Sequence, residues 1–248
     1  MAGSPVTFPV LADASEGPTA AFVPIPEVRE YPRINAEVVR HLDAGHARVV
    51  LTGAGGHRLL LHGLSGPWDA VVEVEGHAGP ELAAEMNAPG LTVVCRGPVA
   101  DGAARDLREG RVVILGDAGD ALACSQRGGA VLVAGSSGHR AGLGQSGGSL
   151  ILLGAVGRLA GERQGGGRLW AVDGQLGPHA GRGRRGGRFI LIVPEGDGTT
   201  AMEPDDAEAF STWMRTFAPW LGSSRAVEGL PPSFPPHFLR HHLIDPPA

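Results

Sequence analysis

The chain has 248 residues, 42% of them hydrophobic and 19% charged, with a net charge of −5 and a pI near 6.0. This suits one large domain or two small ones, with enough apolar material for a core and too mild a charge for a dedicated nucleic-acid binder. No run approaches the roughly 18 apolar residues of a membrane helix, and the opening Met1-Ala-Gly-Ser-Pro-Val lacks a leader pattern, so a soluble, cytoplasmic chain is expected.

Residues 1–47 form a Pro-rich arm, with Pro5, Pro9, Pro18, Pro24, Pro26 and Pro32. Within it Asn35 is placed to cap a short helix through Leu42, with Val38, Val39 and Leu42 on one face. Residues 48–66 hold the apolar runs Val49-Val50-Leu51 and Leu59-Leu60-Leu61, read as an irregular first coil of the repeat that follows.

Forty glycines, more than twice average usage, need a geometric reason, and a repeat supplies it. A first mark falls at Gly76, Gly97, Gly116, Gly135, Gly154 and Gly174, with spacings of 21, 19, 19, 19 and 20. A second falls at Gly79, Ala100, Gly119, Gly138, Gly157 and Gly177. The closing mark falls at Gly90, Gly110, Gly129, Gly148, Gly167 and Gly187, the last four preceded by Gly128, Gly147, Gly166 and Gly186. Each unit holds one short apolar run, such as Val131-Leu132-Val133, which cannot bury itself alone. Stacking such units ~4.8 Å apart encloses a continuous interior, and nineteen residues at ~3.3 Å suffice for one closed coil. The pattern predicts an all-β chain: a single-stranded, right-handed parallel β-helix of about six to seven coils of 19–21 residues over 48–193, with short flanking helices. Its corners are expected to use glycine for positive φ. A Rossmann arrangement fails because so few residues between strands leave no room for helices.

Residues 194–248 follow the last strand, Phe189-Ile190-Leu191-Ile192-Val193. Glu203-Pro204-Asp205-Asp206 opens a helix carrying Phe210, Trp213, Met214 and Phe217 on one stripe, with Pro219 expected to end it. That helix is expected to cap one end of the solenoid. The Pro-rich tail beyond Gly229 is read as extended, its Phe234, Phe238, Leu239 and Leu243 running along this protein or docking on a partner.

Several motifs suggest chemistry and have plainer readings. Gly142…Gly147 and Gly181…Gly186 match GxGxxG, but each leads to another Gly and a strand rather than a helix. Arg182, Arg184 and Arg185 point to partner contact or a solvated corner, because no aromatic for base stacking precedes Phe189. His237, His241 and His242 read as surface histidines rather than a metal site. Cys95 and Cys124 are too few for a disulfide scaffold, a four-cysteine zinc site or an all-cysteine iron–sulfur cluster, and read as small hydrophobes. No catalytic, cofactor-binding or metal-binding residue is therefore expected in this chain.

Gly116-Asp117-Ala118-Gly119-Asp120-Ala121 with Arg127-Gly128-Gly129, then Gly135-Ser-Ser-Gly138 with Ser146-Gly147-Gly148, resembles the GXGXG repeat family over about 70–193. That family includes the C-terminal β-helix of glutamate synthase large subunits, the C subunits of formylmethanofuran dehydrogenase and the formyltransferase/hydrolase complex, and free-standing β-helical subunits of N-methylglutamate-synthase-type complexes. In size and layout the chain is most similar to the last. Arg33-Ile34-Asn35-Ala36-Glu37-Val38 is similar to the short segment preceding the β-helix in glutamate synthases. Ala100, Arg108-Glu109-Gly110, Pro80 and Pro178 depart from the pattern in the outer coils.

The resemblance implies a structural subunit that binds no cofactor itself, bracing a glutamine amidotransferase and a flavin subunit for ammonia transfer. FMN and an iron–sulfur cluster would sit in those partners, with no nucleic acid or membrane involved. The alternative it implies is a C subunit of a formyl-transfer complex. A β-helix enzyme working alone would need clustered carboxylates or an Arg/His pair at coil spacing, and none is expected here.

Overall fold

The computed structural model describes residues 20–25, 30–172, 175–193, 200–201, 203–221 and 240–243. Nine strands stack in parallel and in chain order. They are β1 (Ala21–Pro24), β2 (Arg48–His57), β3 (Val71–Ala78), β4 (Asn87–Cys95), β5 (Glu109–Ile114), β6 (Ala130–Val133), β7 (Ser149–Leu152), β8 (Arg168–Val172) and β9 (Arg188–Val193). Each connection from β2 onward is one coil of a parallel β-solenoid, so β2 to β9 enclose seven coils. Helix α1 (Tyr31–Asp43) lies between β1 and β2, and α2 (Pro204–Leu221) follows β9 and the two-residue β10 (Thr200–Ala201). A last strand, β11 (Arg240–Leu243), turns back to pair antiparallel with β9 and β10.

The strand ladder explains the period. Val72, Val93, Val112, Val131, Leu150, Leu169 and Phe189 are aligned residue for residue, giving coils of 19–21 residues. All seven point inward into one continuous apolar interior. Branched side chains suit this site because they pack on the pleat of the strands above and below. Each fully buried aliphatic contributes about 1.5–3 kcal/mol.

The interior changes character along its length. Leu64, Met86 and Leu107 hold one column in the early coils, and Gln126, Gln145 and Gln164 continue it, fully buried or nearly so. Gln145 Nε2 donates to Gln126 Oε1 at 3.2 Å, and Gln164 Nε2 to Gln145 Oε1 at 3.0 Å, so the buried amides link up the axis as far as Gln164, whose Oε1 has no hydrogen-bond partner among the described residues.

Both helices depart from the expectations. α1 begins at Tyr31 with Pro32 in its first turn, and Asn35 is not its cap. Asn35 is instead buried inside the helix, donating to Leu59 O at 3.1 Å and accepting from Leu61 N at 2.8 Å. Ile34, Val38 and Leu42 join the solenoid interior, so α1 is the element that closes an end. α2 lies elsewhere: its Phe210, Phe217 and Leu221 pack on the outward side chains Val113, Leu132, Ile151, Trp170 and Ile190. It covers the flank of the sheet rather than its end, because those outward positions are as apolar as the inward ones. Pro219 does not stop it, since the helix runs on to Leu221. A proline so near the end removes little of the hydrogen-bond ladder, and buried Phe217 and Leu221 hold the last turn. β11 lays part of the tail along this protein, whereas Phe234, Phe238 and Gly174 lie outside the described residues.

Candidate functional site

Each coil has three sides. The strand forms the first, and a one-residue bridge forms the second, aligning Ala78, Val99, Ala118, Ser137, Val156 and Leu176. The third is a wall of turns with positive φ at every second residue, as at Ala121, Ala123 and Ser125. Those amides donate alternately up and down the stack: Ala121 N to His139 O at 2.8 Å, Ala123 N to Ala103 O at 2.8 Å, and Ser125 N to Leu143 O at 2.7 Å. Left-handed backbone costs about 1–2 kcal/mol per non-glycine residue, and the inter-coil hydrogen bonds hold it in place.

Positive φ, the expected reason for the glycines, holds at Gly76 and at the closing marks Gly110, Gly129, Gly148, Gly167 and Gly187, but most first and second marks have a different explanation. Gly116, Gly119, Gly135, Gly138, Gly154, Gly157 and Gly177 do not have positive φ; they flank the one-residue bridge and press on the coil below. A Cβ on Gly154 would lie 2.5 Å from Gly135 O, and one on Gly138 would lie 2.3 Å from Asp120 Oδ1. The closing pairs divide the two needs. A Cβ on Gly128, Gly147, Gly166 or Gly186 would meet backbone atoms of the coil below, while Gly129, Gly148, Gly167 and Gly187 also have positive φ.

Contrary to the expectation from sequence, carboxylates and a His/Arg pair do stand at coil spacing: Asp101, Asp120, His139 and Arg158 follow one another every 19 residues at the bridge corners, where they are used for stacking. Asp101 Oδ1 accepts from Asp120 N at 2.8 Å, and Asp120 Oδ1 from His139 N at 2.7 Å. His139 Nδ1 then accepts from Arg158 N at 3.3 Å, which assigns the ring proton to Nε2. Asp117 does the same for Ser136 N at 2.7 Å.

Two buried carboxylates, each between two arginines, were not foreseen from sequence. Glu73, the one charged member of an outward column that continues as Val94 and Val113, is held by Arg48 at 2.8 Å and Arg96 at 2.7 Å. Burial pushes its carboxyl up, but hydrogen bonds from Arg48 and Arg96 outweigh that and hold it below the usual glutamate range. Asp206, at the start of α2, is fully buried between Arg168 at 2.8 Å and Arg188 at 2.6 Å. It clamps the helix to β8 and β9, while Trp213 Nε1 donates to Ser149 Oγ at 2.9 Å on β7.

The three arginines singled out from sequence separate. Arg182 and Arg185 are exposed on the seventh coil. Arg184 continues the interior glutamine column, donating to Gly187 O at 3.0 Å with its guanidinium carbon 6.0 Å from the Phe189 ring centre. Both GxGxxG segments lie on the turn wall and lead into β7 and β9. Cys95 is buried in β4, where burial pushes its thiol up to about 11, and Cys124 stands half-buried on the turn wall. Among the described residues no group of three or more His, Cys, Asp or Glu could hold a metal ion, and no helix is long and apolar enough to cross a membrane. No family model matches the chain, and no curated protein does.

Proposed function

We propose that this chain is a structural subunit of a glutamate-synthase-like amidotransferase/FMN complex. In that reading it braces a glutaminase subunit and a flavin subunit while ammonia passes between them toward glutamate or an N-substituted glutamate. The observation that carries the reading is the three-mark glycine repeat, which folds into seven stacked coils with the marks at the points of closest coil-to-coil approach. It supports the resemblance to the GXGXG repeat because the same spacing serves the same geometry in each unit. Asp101 and Asp120 are engaged in stacking, the buried glutamines in their column and Asp206 in clamping α2, which suits a brace. FMN and the iron–sulfur cluster belong to the partners in this proposal. The test is recovery of the chain from its native cell at gentle salt, with mass spectrometry and a flavin absorbance scan. A yellow complex with amidotransferase-like and flavin-barrel subunits supports it, whereas a colourless complex with formyl-transfer subunits overturns it in favour of a formyl-transfer C subunit.

A further inference from the structure

The two ends of the solenoid are finished differently. At the first coil, Leu61 N–H points to where a preceding coil would lie, as Ala83 N does toward Leu60 O and Ala104 N toward Leu82 O. Among the described residues no coil precedes it, and the Asn35 side chain takes that place, accepting from Leu61 N and donating to Leu59 O. α1 fills the rest of the opening with Ile34, Val38 and Leu42.

Among the described residues the seventh coil has no such cap on two of its three sides. One column of amides runs Ala78, Val99, Ala118, Ser137 and Val156, each donating to the next coil at 2.8–3.1 Å. A second runs Leu59, Glu81, Gly102, Ala121, Arg140 and Leu159, and a third Gly63, Glu85, Asp106, Ser125, Gly144 and Arg163. The next members are Leu176, His179 and Gly183, and among the described residues none of these three amides has an acceptor. His179 and Gly183 are exposed. β11 continues the stack only on the strand side.

The same end is strongly basic. Arg158, Arg163, Arg182 and Arg185 are exposed, and among the described residues none of them meets a carboxylate. Glu162 on this part of the wall is engaged by Arg140 at 3.5 Å. In the early coils, by contrast, Arg105 is paired with Glu81, Glu85 and Asp106.

We infer that the open end of the seventh coil is a docking surface for an extended, acidic polypeptide segment of a different protein. The donor set selects a polypeptide. One coil earlier the equivalent amides of Val156, Leu159 and Arg163 are met by Gln175 O, Pro178 O and Arg182 O, all within one continuous segment. A partner segment supplying carbonyls in that order continues the ladder, as strand addition does at a sheet edge, and its carboxylates face the unpaired arginines. A second copy of this chain does not fit, because its first coil is closed by α1 and Asn35 and its seventh coil would bring the same exposed arginines rather than carboxylates. The inference holds whichever reaction the partner catalyses.

The test uses the full chain and a fluorescein-labelled ten-residue peptide of alternating Glu and Val, with its Glu→Gln counterpart and ten-nucleotide oligouridine as comparisons. Fluorescence anisotropy should saturate with the acidic peptide, weaken with added salt, and lose at least tenfold in affinity in the Arg182→Glu/Arg185→Glu variant. Arg58→Glu/Arg108→Glu, on early coils, should leave binding unchanged. Amide exchange by NMR should be fast at Leu176, His179 and Gly183 in the free chain and slow with peptide. Four outcomes overturn the inference. They are no saturation at low salt, equal loss in both variants, tighter binding of oligouridine with protection of the same amides, and amides already protected in the free chain, which would place one of its own segments there.

Discussion

Gly144 and Gly147 stand three residues apart and need to be glycine for opposite reasons. Gly144 has φ +63°, but a Cβ there would meet only Ser125 Oγ at 3.8 Å. Gly147 has no positive φ, but its Cβ would lie 2.1 Å from Arg127 O, a backbone atom of the coil below. Gly144→Ala should therefore cost about 1 kcal/mol, left-handed strain partly offset by a less disordered unfolded chain. Gly147→Ala forces two coils apart and should cost about 3 kcal/mol or more. Urea unfolding of both variants decides the matter, since the reverse order would mean that φ, not close approach, is what the repeat protects. Glu73 gives a residue-scale prediction in pH. Its folded carboxyl lies below its ordinary value of 4.5, so its contribution is complete above that value and is lost as pH falls from there through the lowered folded value. Glu73→Gln should flatten the acid limb of a stability-against-pH curve and cost about 1–3 kcal/mol at neutral pH, because Arg48 and Arg96 then lose their shared partner.

α2 shows how an element can be written in a sequence while its place is not. Phe210 is fully buried and its ring centre lies 5.9 Å from that of Trp170 on β8. Phe210→Ala should cost about 3–5 kcal/mol. Because the helix sits on the flank, amide exchange should accelerate over Ala207–Leu221 before it does over β6 and β7; simultaneous loss would mean that the solenoid cannot stand without α2. The stripe at Phe210, Trp213, Met214 and Phe217 was legible because it has helical spacing, and the coil period was legible because three glycine marks keep step. The docking of α2 was not, since a helix stripe does not name its receiver. One signal was present: Ala130-Val131-Leu132-Val133 is apolar at every position, and a strand buried on both faces needs a cover outside as well as an interior. The Asn35 contact and the Asp206 clamp were not legible. Asn35 lies 24 positions from Leu59, and Asp206 lies 38 from Arg168 and 18 from Arg188, which it reaches only because α2 folds back. No local spacing marks such pairs.

A solenoid's stability is roughly the sum of its coils and their interfaces, so its ends decide whether the stack is finished or still able to grow. This molecule spends one buried asparagine on finishing the first coil, and that residue makes the whole-molecule argument testable. Asn35→Ala leaves Leu61 N–H without a partner beneath α1 and Leu59 C=O with only the longer bond from His62 N at 3.3 Å, which should cost about 1–3 kcal/mol. The loss should be local at first. Leu61 exchange should quicken by more than tenfold while the amide of Val133, four coils further on, keeps the rate set by global unfolding. A second variant separates capping from mere helix stability: Asn35→Asp keeps the acceptor for Leu61 N but lacks the donor for Leu59 O, so it should recover part of the loss. If both variants matched the parent protein, Asn35 would be a bystander and α1 alone would close the end. In that case the difference between the two ends would rest on apolar cover, and the closure of a second copy's first coil would rest on Ile34, Val38 and Leu42 alone.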